Sequence, residues 1–128
     1  MRSYERKFIE GKEYSQDSLI PIVVLILGGN DGRATKKYVE EQIYELFRAE
    51  FKKDLYHEKV ANASVPRWKH DIAWARERAK QNHGYIKSAK EAGRGTWELS
   101  AKGKSHYDQL VTELKEAIND NDRTQISI

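Results

Sequence analysis

The sequence predicts a mainly α-helical domain with a small β-hairpin, in the order helix, helix, helix, strand, loop, strand, helix. Three observations predict it. Apolar residues recur at helical spacing in several segments. Ser, Thr and Pro start signals and Gly stop signals bound those segments. Two strand-like stretches, Tyr85-Ile86-Lys87 and Thr96-Trp97-Glu98-Leu99, flank a polar loop containing two glycines. A chain of 128 residues suits one domain and can bury a core without staples. It has no cysteine, which excludes disulfides and zinc–thiolate sites.

Residues 1–16 read as a flexible arm, although Tyr4 and Phe8, four apart, are spaced to pack down together. Asp17 or Ser18 is the expected cap of a helix over 19–27, with Pro21 in its first turn and Gly28-Gly29-Asn30 as its stop. The β-branched run IPIVVLIL also suits a buried strand; the cap and stop signals favour helix. That run is too short to cross a bilayer, and the N-terminus lacks the apolar stretch of a signal peptide, so a soluble, cytoplasmic protein is expected. Thr35 caps the next helix, over 36–51. Its apolar stripe is Val39, Ile43, Leu46 and Phe47, with Glu40, Glu41 and Glu45 on the outer side. Residues 52–63 read as a long polar loop. Ser64 and Pro66 start a third helix that runs to about residue 82 and ends at Gly84. Ser100 caps the last helix, striped by Tyr107, Leu110, Val111, Leu114, Ala117 and Ile118, and residues 120–128 form a frayed tail. The predicted domain therefore spans 17–119.

Three helices closed by a two-stranded ribbon make the winged variant of helix-turn-helix. Its third helix can enter the major groove, and its ribbon loop can reach a flanking phosphate or the minor groove. Charge distribution points the same way. The net charge is only +3, but residues 67–104 hold ten Lys/Arg against four Asp/Glu, while the remainder holds thirteen against sixteen. A local cationic excess is what a polyanion-binding face requires.

The stretch from Pro66 to Lys104 resembles the second half of the Mrr N-terminal domain, a winged helix of bacterial restriction-system proteins. The likeness is carried by Arg67-Trp68, Trp74-Ala75, Gly84-Tyr85-Ile86, Arg94-Gly95-Thr96-Trp97-Glu98-Leu99-Ser100 and Lys102-Gly103. It extends over about 17–114. His83 stands as an extra residue before the glycine, and the 52–63 loop departs from the pattern. The resemblance implies a DNA-targeting domain acting with a nuclease domain or subunit, in the restriction of foreign or modified DNA.

On the third helix, Trp68, Ile72, Ala75 and Ala79 share one face, extended by Trp74 and Arg78, and are expected in the core, with Trp74 towards the wing strands. The opposite side carries Lys69, His70, Ala73, Arg76, Glu77 and Lys80. These are donors and acceptors around a small Ala73, suited to close groove approach. Arg67 sits at the helix start, where backbone N–H groups also favour a phosphate. Asp71 and Arg78 are expected to form an ion pair. Lys87, Lys90 and Arg94 are the wing candidates, and Arg94 stands between two glycines that permit close backbone approach. Lys36 and Lys37 are further phosphate candidates.

No catalytic role is expected. Glu10-Gly11-Lys12 lies in the polar arm and Glu113-Leu114-Lys115 inside an amphipathic helix, neither in the strand setting of a restriction nuclease. His57, His70, His83 and His106 lack metal-ligand spacing, and no phosphate-loop, nucleophile-elbow or dinucleotide motif occurs. No cofactor is expected, and no aromatic cage for a modified base is visible. The expected partner is double-stranded DNA. Other roles for this fold are transcriptional repression, or protein interaction without DNA, including a homodimer through the last helix.

Overall fold

A computed structural model describes residues 3–60 and 64–126 of the chain, with side chains over 4–60 and 64–119. The start of the expected arm, the end of the 52–63 loop and the side chains of the expected tail lie outside the described residues. The described residues are mainly helical and carry one small antiparallel sheet of two strands.

The apolar run is the central helix, α2 (Gln16–Gly28). Its cap is Ser15, not Asp17 or Ser18: Ser15 Oγ accepts a hydrogen bond from the Ser18 backbone at 3.2 Å. The earlier start leaves Pro21 inside the helix, beyond its first turn. Leu19 and all of Ile22 to Leu27 are buried, so this helix is apolar on every side, as a helix enclosed by others must be. The enclosing helices are α1 (Ser3–Ile9), α3 (Lys36–Leu46), α5 (Arg67–Gln81) and α7 (Ala101–Ile126).

The expected flexible arm is therefore corrected. Over Ser3–Ile9 it is helical, with Tyr4, Phe8 and Ile9 packed on the core and Glu5 buried. The second helix is shorter than expected. It stops at Leu46, and after Phe47, whose φ of −110° and ψ of 28° break the pattern, a short α4 (Arg48–Phe51) follows. Glu40, expected outside, is buried. The 52–63 loop contains a 3₁₀ turn at Asp54–His57 that buries Tyr56. Tyr14, Phe47, Phe51 and Tyr56 then close an aromatic cluster with ring centroids 5.1–5.8 Å apart. The three Tyr14 pairs are edge-to-face, a geometry that adds to simple area burial.

The sheet differs from a plain hairpin. After α2 the chain turns through Asp31 and Gly32, both at positive φ, into β1 (Arg33–Thr35). This strand pairs antiparallel with β2 (Thr96–Glu98), in the register Arg33↔Glu98, Ala34↔Trp97 and Thr35↔Thr96. Of the expected strand 85–87 there remains one bridge, Ile86↔Leu99, flanked by Lys87 N–H to Glu98 O and Ser100 N–H to Tyr85 O, both 2.9 Å. The loop between is partly ordered by α6 (Ala89–Ala92), whose Ser88 and Glu91 form a reciprocal capping box.

α5 begins after Pro66 and buries Ile72, Ala75 and Ala79, while Trp68 and Trp74 are half-buried against the core. Gly84, at φ 69°, follows the helix end. α7 is capped by Ser100, whose Oγ accepts from Gly103 N at 3.0 Å, and its backbone is helical through the expected tail to Ile126. The stripe considered for a dimer is in use within this chain: Leu110 is buried, and Tyr107, Val111 and Leu114 pack on the core. Ala117 is exposed. Among the described residues no helix is long and apolar enough to cross a membrane.

Gly103 shows how tightly α7 is docked. A Cβ there would stand 2.0 Å from the Tyr85 carbonyl oxygen. Gly103→Ala is expected to destabilise the fold by roughly 1–3 kcal/mol in chemical denaturation, through overpacking, although alanine is the better helix former.

Candidate nucleic-acid interface

Three elements converge on one shallow groove. The start of α3 contributes Thr35, Lys36, Lys37 and the buried Glu40, α5 and the residues before it contribute Val65, Lys69 and Ala73, and the loop after α6 contributes Gly95. Local bonds hold them in place. Thr35 Oγ1 accepts from Tyr38 N at 3.1 Å, starting α3, and Lys36 N–H donates to Gly95 O at 2.9 Å, tying the loop to that helix start. The β1–β2 ladder fixes the same junction from the other side.

Lys36, Lys37, His70, Ala73, Lys90 and Arg94 are exposed. Ala73 leaves the α5 backbone approachable at the groove, while half-buried Lys69 lays its ammonium 5.6 Å from the Trp68 ring centroid. Arg94 is carried between Gly93 and Gly95, at φ 100° and 77°, a conformation that favours glycine.

Other expected contacts are placed differently. Arg76 is only 14% exposed in its side chain. Its guanidinium lies 5.7 Å from the Trp97 ring centroid and 3.6 Å from Glu77, and its Nε is buried with no hydrogen-bond partner among the described residues. Its guanidinium therefore lies towards the Trp97 ring of β2 instead of reaching outward. Lys80 is engaged by Glu77 at 3.4 Å. Lys87 is ion-paired with Glu98 at 3.0 Å and holds that carboxyl below its ordinary range. Arg67 is half-buried, its Nε is buried with no hydrogen-bond partner among the described residues, and its backbone N–H donates to Glu58 O at 2.9 Å, which occupies one of the helix-start donors.

The expected Asp71–Arg78 pair is replaced. Buried Asp71 accepts from Tyr14 Oη and Gln16 Nε2, each at 2.7 Å, and Arg78 lies over the Trp74 ring at 5.2 Å. Burial, then the Asp71 bond, pushes the Tyr14 phenol well above its ordinary value. These bonds pin Tyr14, just before α2, and Gln16, at its start, to α5, the helix that carries Lys69 and Ala73.

One surface feature was not legible in the sequence. Tyr44, His57 and Trp68 gather with Glu41 and Glu45 around an aromatic notch. Among the described residues no group of three or more His, Cys, Asp or Glu is arranged to hold a metal ion. In comparisons with known proteins, no family model, no curated protein and no solved structure matches this chain.

Proposed function

We propose that this chain is a double-stranded DNA-binding module of the winged helix-turn-helix type, with no catalysis of its own. The observation that carries the reading is the convergence of the α3 start, the open Ala73 side of α5 and the glycine-flanked loop around Lys36, Lys37 and Lys69. In this reading α5 is the helix that enters the major groove, since that groove admits one α-helix. Lys69 and His70 face base edges or phosphates beside Ala73. Lys36 and Lys37 hold the backbone on one flank, and Lys90 and Arg94 act as the wing on the other.

The likeness to the Mrr N-terminal domain extends the proposal to a DNA-targeting role in a restriction system, in the cytoplasm, with a nuclease domain or subunit as partner. The residues that carry the likeness lie at the end of α5 and the bridge, Gly84-Tyr85-Ile86, and in the loop after α6 and β2, Arg94 to Ser100.

The test is a titration of labelled duplexes at several salt concentrations. About four to five phosphate contacts release counterions, so the log–log slope of affinity against salt is expected at about −3.6 to −4.5. Plasmid DNA incubated with the same protein and Mg²⁺ should remain intact. Salt-independent binding, or none, would remove the DNA reading.

A further inference from the structure

The aromatic notch is built from two helices and a turn. Glu41, Tyr44 and Glu45 stand at i, i+3 and i+4 on α3 and so share one face. Trp68 comes from the first turn of α5, and His57 from the end of the 3₁₀ turn. The Tyr44 and Trp68 ring centroids are 4.7 Å apart with planes at 67°, and those of Tyr44 and His57 are 6.4 Å apart at 66°. Two steep angles about one ring make a corner instead of a flat stack.

The rings and Glu41 suit a positive charge, and the chain's own Lys69 ammonium already lies 5.6 Å from the Trp68 ring centroid. The ring faces carry the negative side of the aromatic quadrupole. His57 Nε2 lies 2.7 Å from the Phe51 carbonyl oxygen, which can only accept. Nε2–H is therefore the donor in that bond, and in the tautomer it selects Nδ1 is an acceptor. Glu45 is engaged by Arg48, whereas Glu41 has no hydrogen bond or ion pair among the described residues. Among the described residues the notch thus holds a carboxylate, that of Glu41, without a counter-ion, on the same helix whose start carries Lys36 and Lys37.

We infer that this notch binds the ammonium group of a lysine side chain presented by a partner polypeptide. A compact ammonium touches two ring faces in a corner while keeping Glu41 within reach, whereas a flat guanidinium stacks on one face only. A nucleobase would bring its phosphates towards Glu41, a like-charge approach. Tyr44 and Trp68 are half-exposed and His57 exposed, so the site is shallow. It suits the end of a side chain arriving on a chain more than a free small molecule, which pockets bury largely. The inference is independent of the DNA reading.

The test uses the Trp68 indole N–H resonance, one of three tryptophan signals, assigned by its disappearance in Trp68→Phe. The probes are the peptide Gly-Ala-Lys-Ala-Gly, its trimethyllysine form and its norleucine form. The lysine and trimethyllysine peptides are expected to shift that resonance saturably, the trimethylated one more tightly. The uncharged norleucine peptide should bind at least tenfold more weakly. Glu41→Lys should weaken both cationic peptides at least tenfold while leaving the rest of the spectrum in place, and Glu41→Gln should give an intermediate loss. Norleucine binding as tightly as lysine, no saturable shift with either cation, or tighter binding of 5-methyl-2′-deoxycytidine than of the peptides would overturn the assignment.

Discussion

Trp97→Ala is expected to destabilise the domain by roughly 3–5 kcal/mol, the usual cost of emptying a buried aromatic site. Trp97 is 5% exposed, stands opposite Ala34 in the ladder and lies under the Arg76 guanidinium. None of these neighbours can fill the space. Ala34 is small, β1 and β2 are three residues each, and Arg76 would lose the ring face against which its charge rests. The loss also reaches the candidate interface, because the same ladder leads into the Gly95 carbonyl that accepts from Lys36. Urea denaturation measures the cost, and duplex binding at a fixed temperature should fall with the folded fraction. A cost under about 1 kcal/mol would mean that the ring contributes little to the core.

What the sequence made legible divides by range. The four main helices were visible because their signals are local: a cap, a stop, and an apolar stripe between them. Even there the cap of α2 was misplaced, because Ser15, Asp17 and Ser18 are all competent caps and only the fold selects one. β1 was invisible. Arg33-Ala34-Thr35 is too short to show alternation and exists as a strand through its pairing with β2, far along the chain. The flexible arm was misread for a related reason: its ordering contacts, such as Tyr14 to Asp71 across 57 residues, leave no mark in a local window. On α5, periodicity separated core from surface at Ile72, Ala75 and Ala79, but placed Arg76 outward. A long aliphatic stem beside the buried stripe can fold back over an aromatic ring, and the choice is made by Trp97 on another element. The aromatic notch needed three separate segments to meet, and no spacing rule announces that.

The contrast between Arg76 and the exposed cations leads to the last expected result. A combined Lys36→Ala, Lys69→Ala, Arg94→Ala protein should fold, since two of these side chains are exposed and Lys69 is only half-buried. Each neutralised phosphate contributes about 0.9 to the salt slope, so losing three should flatten it by nearly three units. Near 0.1 M salt that corresponds to a loss of affinity of roughly 10²–10³, on preferred and random duplexes alike. Arg76→Ala should behave in the opposite way. It removes a cation from the Trp97 ring and packing from the sheet, so stability falls while the salt slope of the folded protein stays unchanged. His70 is exposed on α5 and, if it reads a base edge, His70→Ala should cost about 1–3 kcal/mol on the preferred site and much less on random DNA. Paired titrations of each variant at several salt concentrations, with folded fractions measured alongside, separate the three behaviours. If Arg76→Ala flattens the slope as much as one of the exposed cations does, Arg76 turns outward when DNA binds, and the groove described between α3 and α5 is not the whole contact surface. If the triple variant keeps its affinity, the cationic groove is not the DNA face.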